Sequence, residues 1–254
     1  MPSIIIDERF CGPPNSGNGG YVCGLLAAHI GGSAEITLRV PPPLRRRLDV
    51  VADGEGTIEL RDGETMVATG RPERLDVTDV PTPSFAEAED AVRRTPYDER
   101  SHKLPTCFVC GPARAHGDGL RIFAGPLAQS IGQAIEAVAA TWIPHANLAG
   151  PDGRVAAEFV WASLDCPSGY ARLGARRLGM SGTEPILLGR MTARIDARPQ
   201  PGDRCVLVAW PTSRDGRKFF ANSALLGANG EVLAVARATW LIVEPQVLLG
   251  ASAR

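Results

Sequence analysis

Two stretches, far apart in the chain, hold residue types that could do chemistry together. The first runs from Arg9 to Ala27, RFCGPPNSGNGGYVCGLLA, where a glycine- and asparagine-rich loop enters an apolar segment. It has neither the Lys-Ser/Thr of a phosphate-binding loop nor the G-x-G-x-x-G spacing of a dinucleotide site. A helix beginning at Gly19 leaves backbone amides unpaired and carries partial positive charge at that end. With glycine there, a carbonyl oxygen can come close. The amides of Gly19, Gly20 and Tyr21 therefore suit a developing oxyanion, with Asn15 or Asn18 in support. A tight turn capped by Asn18 or Ser16 is the other reading of the same residues, and both can hold at once.

The second stretch is AAEFVWASLDCPSG, where Asp165 ends a run of apolar and small residues. A charge beside a buried face is costly unless it is paired or used, so Asp165 is the candidate catalytic carboxylate of this stretch. The competing role is a cap on a second helical segment, with Pro167 in its first turn. Glu158, on roughly the same helix face, is the weaker acid. Cys107 and Cys110 form C-x-x-C with His102 and His116 nearby, but C-x2-C-x5-H is not a finger spacing, and no metal is expected. Cys166 lacks an evident histidine base, and Cys11 and Cys23 read as small core residues.

The elements that position these residues come from an internal repeat. AEITLRV and RMTARID open matching runs of strands, with Ile36, Leu38 and Val40 set against Met191, Ala193 and Ile195. Asp53-Gly54 and Asp62-Gly63 punctuate one copy, Asp215-Gly216 and Asn229-Gly230 the other, as tight hairpins require. One apolar helix precedes each set: Gly19 to about Ile30, and about Ala156 to Asp165, halted or kinked by Pro167. Between the copies, a segment rich in proline, acid and arginine reads as a linker with a short helix at 85–94. GLRIF and QAIEAVAATWI are expected as extra strands before the second helix, which makes the first copy look truncated. Aligning the two helices sets Ala28 opposite Asp165 and Ala156-Ala157 opposite the glycine pair. One half would then bring the amides and the other the acid, giving a single competent site.

FCGPPNSGNGGYVCGLLA, CFVCGPARAHGDGLRIF, WASLDCPSG and GEVLAVARATWLIVE, in that order, resemble the hotdog-fold thioesterase superfamily, and most of all its double-hotdog, acyl-CoA thioesterase-like members. The resemblance implies an α+β fold of two tandem hotdog domains, each a curved antiparallel sheet wrapped around a central helix, paired as a pseudo-dimer. The expected division is residues 1–80, a linker over 81–104, and 105–254. It further implies hydrolysis of an acyl-CoA or acyl-carrier-protein thioester. Asp165 would activate water, Gly19, Gly20 and Tyr21 would hold the oxyanion, and no cofactor or metal would be required. Asn15, Asn18, His145, Trp161 and Ser163 would contact substrate, Trp161 by lining an acyl tunnel. Arg190, Arg194, Arg217 and Lys218 are cations available to CoA phosphates. A hotdog hydratase would instead need His145 or His29 beside a carboxylate, and a non-catalytic acyl-CoA module would need no acid at all.

Composition narrows the partners. A formal net charge of −1 gives no electrostatic reason to expect nucleic acid or an anionic membrane. No apolar run approaches the length of a membrane span. Six cysteines in 254 residues are too sparse for a disulfide scaffold, so a reducing cytoplasm is expected. The partner is then a small thioester, and double-hotdog units could associate further.

Overall fold

The computed structural model describes residues 2–54, 56–128 and 136–248. Eleven strands form one antiparallel sheet. The first half contributes β1 (Ser3–Ile5), α1 (Gly19–Ala27), β2 (Ala34–Leu38), β3 (Arg47–Ala52), β4 (Ile58–Asp62) and β5 (Thr65–Pro72). After α2 (Phe85–Arg93) come β6 (Gly125–Pro126), β7 (Val138–Trp142), α3 (Ala157–Tyr170), β8 (Ile186–Ile195), β9 (Cys205–Asp215), β10 (Lys218–Leu226) and β11 (Val232–Ile242). A single turn of helix, α4 (Pro245–Leu248), follows. The strands lie in the order β1-β3-β4-β5-β2-β8-β11-β10-β9-β7-β6.

That order is the repeat made visible. Read outward from the centre, β2-β5-β4-β3-β1 and β8-β11-β10-β9-β7 are the same path, and only the two-residue β6 has no counterpart. The first half is therefore not short of strands, as its sequence suggests; its strands are shorter, three to eight residues against five to eleven. The halves join where β2 pairs with β8, and Ile36 lies directly opposite Met191. These two residues are also equivalent in the repeat, so the pseudo-twofold axis passes between them. Both are fully buried. The hairpins use the turn chemistry read from the sequence: Gly63 and Gly216 adopt φ of 58° and 54°, a region open to glycine at little steric cost.

The sheet's inner face packs on α1 and α3, which cross at the molecule's centre in antiparallel directions. Gly20 meets Trp161 and Asp165, and one turn later Gly24 meets Glu158 and Trp161. A Cβ on Gly20 would lie 2.4 Å from the Asp165 Cβ, and one on Gly24 would lie 2.6 Å from the Glu158 Cα. Glycine is what allows the two backbones to approach this closely.

Three local expectations need correction. Pro167 neither halts nor ends α3, which runs on to Tyr170. Proline removes one amide donor, and the hydroxyls of Ser168 and Ser223 donate to the carbonyls of Asp165 and Leu164 beside that gap. Asp165 is thus a mid-helix residue and caps no second segment. GLRIF forms no strand, because the amides of Leu120 and Ile122 donate instead to the carbonyls of Phe108 and Val109. In QAIEAVAATWI, residues 133–135 lie outside the described residues, and the strand begins at Val138.

The segment between the copies does more than connect them. α2 is closed by a capping box between Ser84 and Glu87. Ala88 and Ala91 bury against Ala139, Val208 and Trp210 on the outer face of the second half's sheet. No helix among the described residues is long and apolar enough to cross a membrane.

Candidate active site

The site lies where the N-terminus of α1 meets the middle of α3. Asn18 caps α1: its Oδ1 accepts from the Tyr21 amide at 2.9 Å. The same side chain donates through Nδ2 to Asp165 Oδ2 at 2.9 Å, and the Gly20 amide donates to that oxygen at 2.9 Å. One carboxylate oxygen is thereby fixed from the opposite half of the molecule. The other, Oδ1, is buried and has no hydrogen-bond partner among the described residues. Asp165 is only 2 % exposed. Burial, with a smaller push from Cys107, drives its carboxyl up to about 7 against the opposing bonds from Gly20 and Asn18.

Asp165 lines a cavity of about 670 Å³. The loop Gly12–Gly19 forms one wall, and β8, β11 and α4 contribute apolar residues such as Leu187, Leu188, Trp240 and Leu248. A third wall comes from residues 97–104, which the sequence marks only as linker. Tyr97 donates to the Gly182 carbonyl and accepts from Arg172. His102 Nδ1 accepts from the Leu104 amide, so its Nε2 carries the proton donated to the Tyr170 hydroxyl at 2.8 Å. Burial holds His102 below its ordinary value and the Tyr170 hydroxyl well above its own.

Several expected roles change against this geometry. The Gly20 amide is bound to Asp165, and the Tyr21 amide to Asn18, so neither is free for an oxyanion. The Gly19 amide, at the first position of α1, has no partner among the described residues, and Gly19 lines the cavity. Asn18 caps α1 and positions Asp165, and it also lines the cavity. Asn15, in a left-handed conformation with φ of 62°, lies on the cavity wall. The Tyr21 ring stacks between Phe10 and Phe159 in the core.

Trp161 is buried at the helix crossing beside Gly24 and does not reach the cavity wall; Trp240 and Tyr170 stand there instead. Ser163 is fully buried, its hydroxyl bound to the Val160 carbonyl. His145 caps a short turn, exposed, and packs edge-on against His116 at 5.6 Å. It is not a cavity residue, and neither is His29, so neither of these histidines stands beside Asp165. Nor do Arg190, Arg194, Arg217 or Lys218 line the cavity; its cations are Arg39, Lys103 and Arg172. Arg190 is engaged by Thr37 and Glu35, and Arg194 by Asp196 and the Leu75 carbonyl. The sequence has no periodicity that ties 97–104 to α3. The one signal was composition: tyrosine, histidine and leucine among the polar residues of a supposed spacer.

Beside Asp165, the thiols of Cys107, Cys110 and Cys166 lie within 4.8 Å of one another. All three are buried and free, and all three line the cavity. The sequence paired Cys107 and Cys110 with His102 and His116, but the fold brings Cys166 to them.

No family model matches the sequence, and no curated protein matches it. Solved structures do. The tesB protein of Mycobacterium avium subspecies paratuberculosis superimposes with a TM-score of 0.59 at 14% identity, over 95% of this chain and 92% of that one. A candidate thioesterase II from Thermobifida fusca gives 0.58 at 14% identity, over 95% and 93%. A protein of unknown function with a hotdog fold from Alicyclobacillus acidocaldarius gives 0.53 at 13% identity, over 96% and 93%. The fold is a double hotdog. Two hotdog units, each a curved antiparallel sheet on one central helix, pair as a pseudo-dimer within a single chain.

Proposed function

We propose that this double hotdog hydrolyses an acyl thioester, of coenzyme A or of an acyl carrier protein, at the junction of α1 and α3. The observation that carries the reading is Asp165: a buried carboxylate that lines a ligand-sized cavity, held through one oxygen by the opposite half's helix N-terminus, with its other oxygen buried and unpartnered among the described residues. In the proposed reaction Asp165 takes a proton from water as the water oxygen attacks the thioester carbonyl. The Gly19 amide, aided by the positive end of α1, stabilises the resulting oxyanion. The intermediate then collapses, the carbon–sulfur bond breaks, and the proton held by Asp165 passes to the departing thiolate. Asn18 sets the carboxylate's orientation and Asn15 contacts substrate. The names of the structural neighbours favour thioesters over other acyl compounds. The unit boundaries that go with this reading are residues 1–80 and 105–254, with 81–104 between them.

Thiol release from a panel of acyl-CoA esters tests it. Asp165→Asn keeps the shape and loses the base, and release is expected to fall by at least about a hundredfold. Undiminished release in that variant would overturn the mechanism. Ligand binding by the wild type without release would make the chain a carrier, and a change at the C2–C3 bond would make it a hydratase.

A further inference from the structure

We infer that Cys107, Cys110 and Cys166 form a binding site for a zinc-class divalent ion, with three thiolate ligands and a fourth position open to the cavity. The inference is independent of the proposed hydrolysis. Three observations carry it.

The first is placement. Three thiols from two distant segments, the C-x-x-C turn and the middle of α3, lie within 4.8 Å of one another at a single buried point. Cysteines that merely fill a core have no reason to meet in this way, as Cys23 and Cys205 illustrate: both are fully buried and neither belongs to the cluster.

The second is dimension. An ion with Zn–S bonds of about 2.3 Å in a tetrahedron sets its sulfurs roughly 3.8 Å apart. The Cys107 and Cys166 sulfurs are 3.8 Å apart. Binding would need only small rotamer adjustments, so the cluster is organised in advance for the ion.

The third is the surrounding polarity. Cys107 Sγ lies 4.0 Å from Asn18 Nδ2, an amide donor. Amides directed at a sulfur stabilise it as a thiolate, the form that binds metal. The Cys166 thiol lies at hydrogen-bond distance from it, 3.8 Å away. Each of these thiols would surrender its proton to solvent on metal binding, so uptake releases protons. Arg172, on the wall of the same cavity, supplies positive charge nearby.

Three protein ligands with one open position is the arrangement of zinc sites that bind a further ligand, whereas closed structural sites use four. No histidine completes the set, since His102 is committed to Tyr170 and His116 lies against His145. All three cysteines line the cavity, so the fourth position is left for a water or a sulfur donor that enters there. Soft thiolates favour zinc over magnesium or calcium.

The test uses the full-length protein, stripped with a chelator under reducing conditions, reloaded with Zn²⁺ and desalted. The expected content is about one zinc per chain. Loading with Co²⁺ should give sulfur-to-cobalt charge transfer in the near ultraviolet and the intense visible bands of a tetrahedral site. Both signals should vanish in Cys110→Ala and in Cys166→Ala and persist in Cys23→Ala. The wild-type cobalt spectrum and the protection of three thiols from a thiol reagent by Zn²⁺ give answers even where a variant fails to fold. Substoichiometric metal after loading would overturn the inference. So would zinc retained in both cysteine variants, or a Cys107–Cys110 disulfide in place of bound metal.

Discussion

The two halves follow the same path of strands yet contribute opposite things at the centre. α1 is short, opens on two glycines and gives backbone: the Gly20 amide, the free Gly19 amide and room for close approach. α3 is longer and gives side chains: Asp165, Cys166 and Tyr170 all line the cavity. The helix caps differ in the same sense. Asn18 caps α1 and holds Asp165, while Ala156, at the same position of α3, makes no side-chain cap. Counting from those caps, the counterpart of Asp165 is Ala27 and not the Ala28 of the sequence alignment, and it too carries no acid. A duplicated scaffold can lose a constraint in one copy once the other copy satisfies it. Here each half has kept the half of the site that the other lacks.

The largest expected effect addresses what the halves share. Ile36→Ala and Met191→Ala each remove a fully buried side chain from the axis pair, and each should cost about 2–5 kcal/mol. If the axis passes between them, urea denaturation will show similar losses from either side. A cost confined to one variant would break the equivalence of the two central strands.

The next pair addresses what they do not share. Gly20→Ala puts a Cβ 2.4 Å from that of Asp165, so the helices must separate. A loss of about 1–3 kcal/mol is expected, and with it most of the thiol release, because Asp165 moves off its donors. At the start of α3, Ala157→Gly, the position that matches Gly19 by the same count, should cost only about 1 kcal/mol of helix propensity and leave release intact. Equal losses of release from both changes would mean that the second helix N-terminus is also a working site.

Caps give a smaller contrast. Asn18→Ala removes the acceptor of the Tyr21 amide and one donor to Asp165, for a loss of about 1 kcal/mol in thermal stability together with a fall in release. Ala156→Asn offers α3 a cap it lacks and should stabilise by up to about 1 kcal/mol without touching release. A fall in release from Ala156→Asn would place that end of α3 in the chemistry.

Much of this was open to reading from sequence, and the reasons are specific. Alternating residues around Ile36 and Met191, with Asp-Gly and Asn-Gly turns, are local signals, so the sheets and their repetition were legible. Asp165 stood out because a charge amid FVWASL has to be used or paired. What escaped depends on contacts across the chain. Pro167 is accommodated inside α3 where Ser223, from another strand, donates to the neighbouring Leu164 carbonyl. The Tyr21 amide is taken by the Asn18 cap, a local bond the sequence offered, but the Gly20 amide is taken by Asp165, whose reach no spacing rule describes. The residues 97–104 join the cavity wall, and Cys166 meets Cys107, only after α3 and the intervening segment have packed.

The smallest effect concerns α2, the helix that one half has and the other lacks. Its capping box is held by Glu87, whose Oε2 accepts from both the Ser84 hydroxyl and the Ser84 amide at 2.7 Å. The hydroxyl bond, and after it the amide bond, holds the Glu87 carboxyl below its ordinary value. A depressed carboxyl in the folded state adds stability that is present above the unfolded value of about 4.3 and is lost as pH falls through the folded one. α2 should therefore loosen from Val208 and Trp210 on mild acidification, before the central sheet does. Hydrogen exchange of the α2 amides, followed downward from pH 5 and corrected for intrinsic rates, reads this directly. Asp90, on the same helix, is also held below its ordinary value, first by its bond from Arg94, so Glu87→Gln is combined with Asp90→Asn. Glu87→Gln keeps the capping geometry without the titration, and in the double variant α2 protection should no longer depend on pH across the same range. If the dependence survives there, the acid sensitivity lies in the sheet against which α2 packs and not in α2 itself.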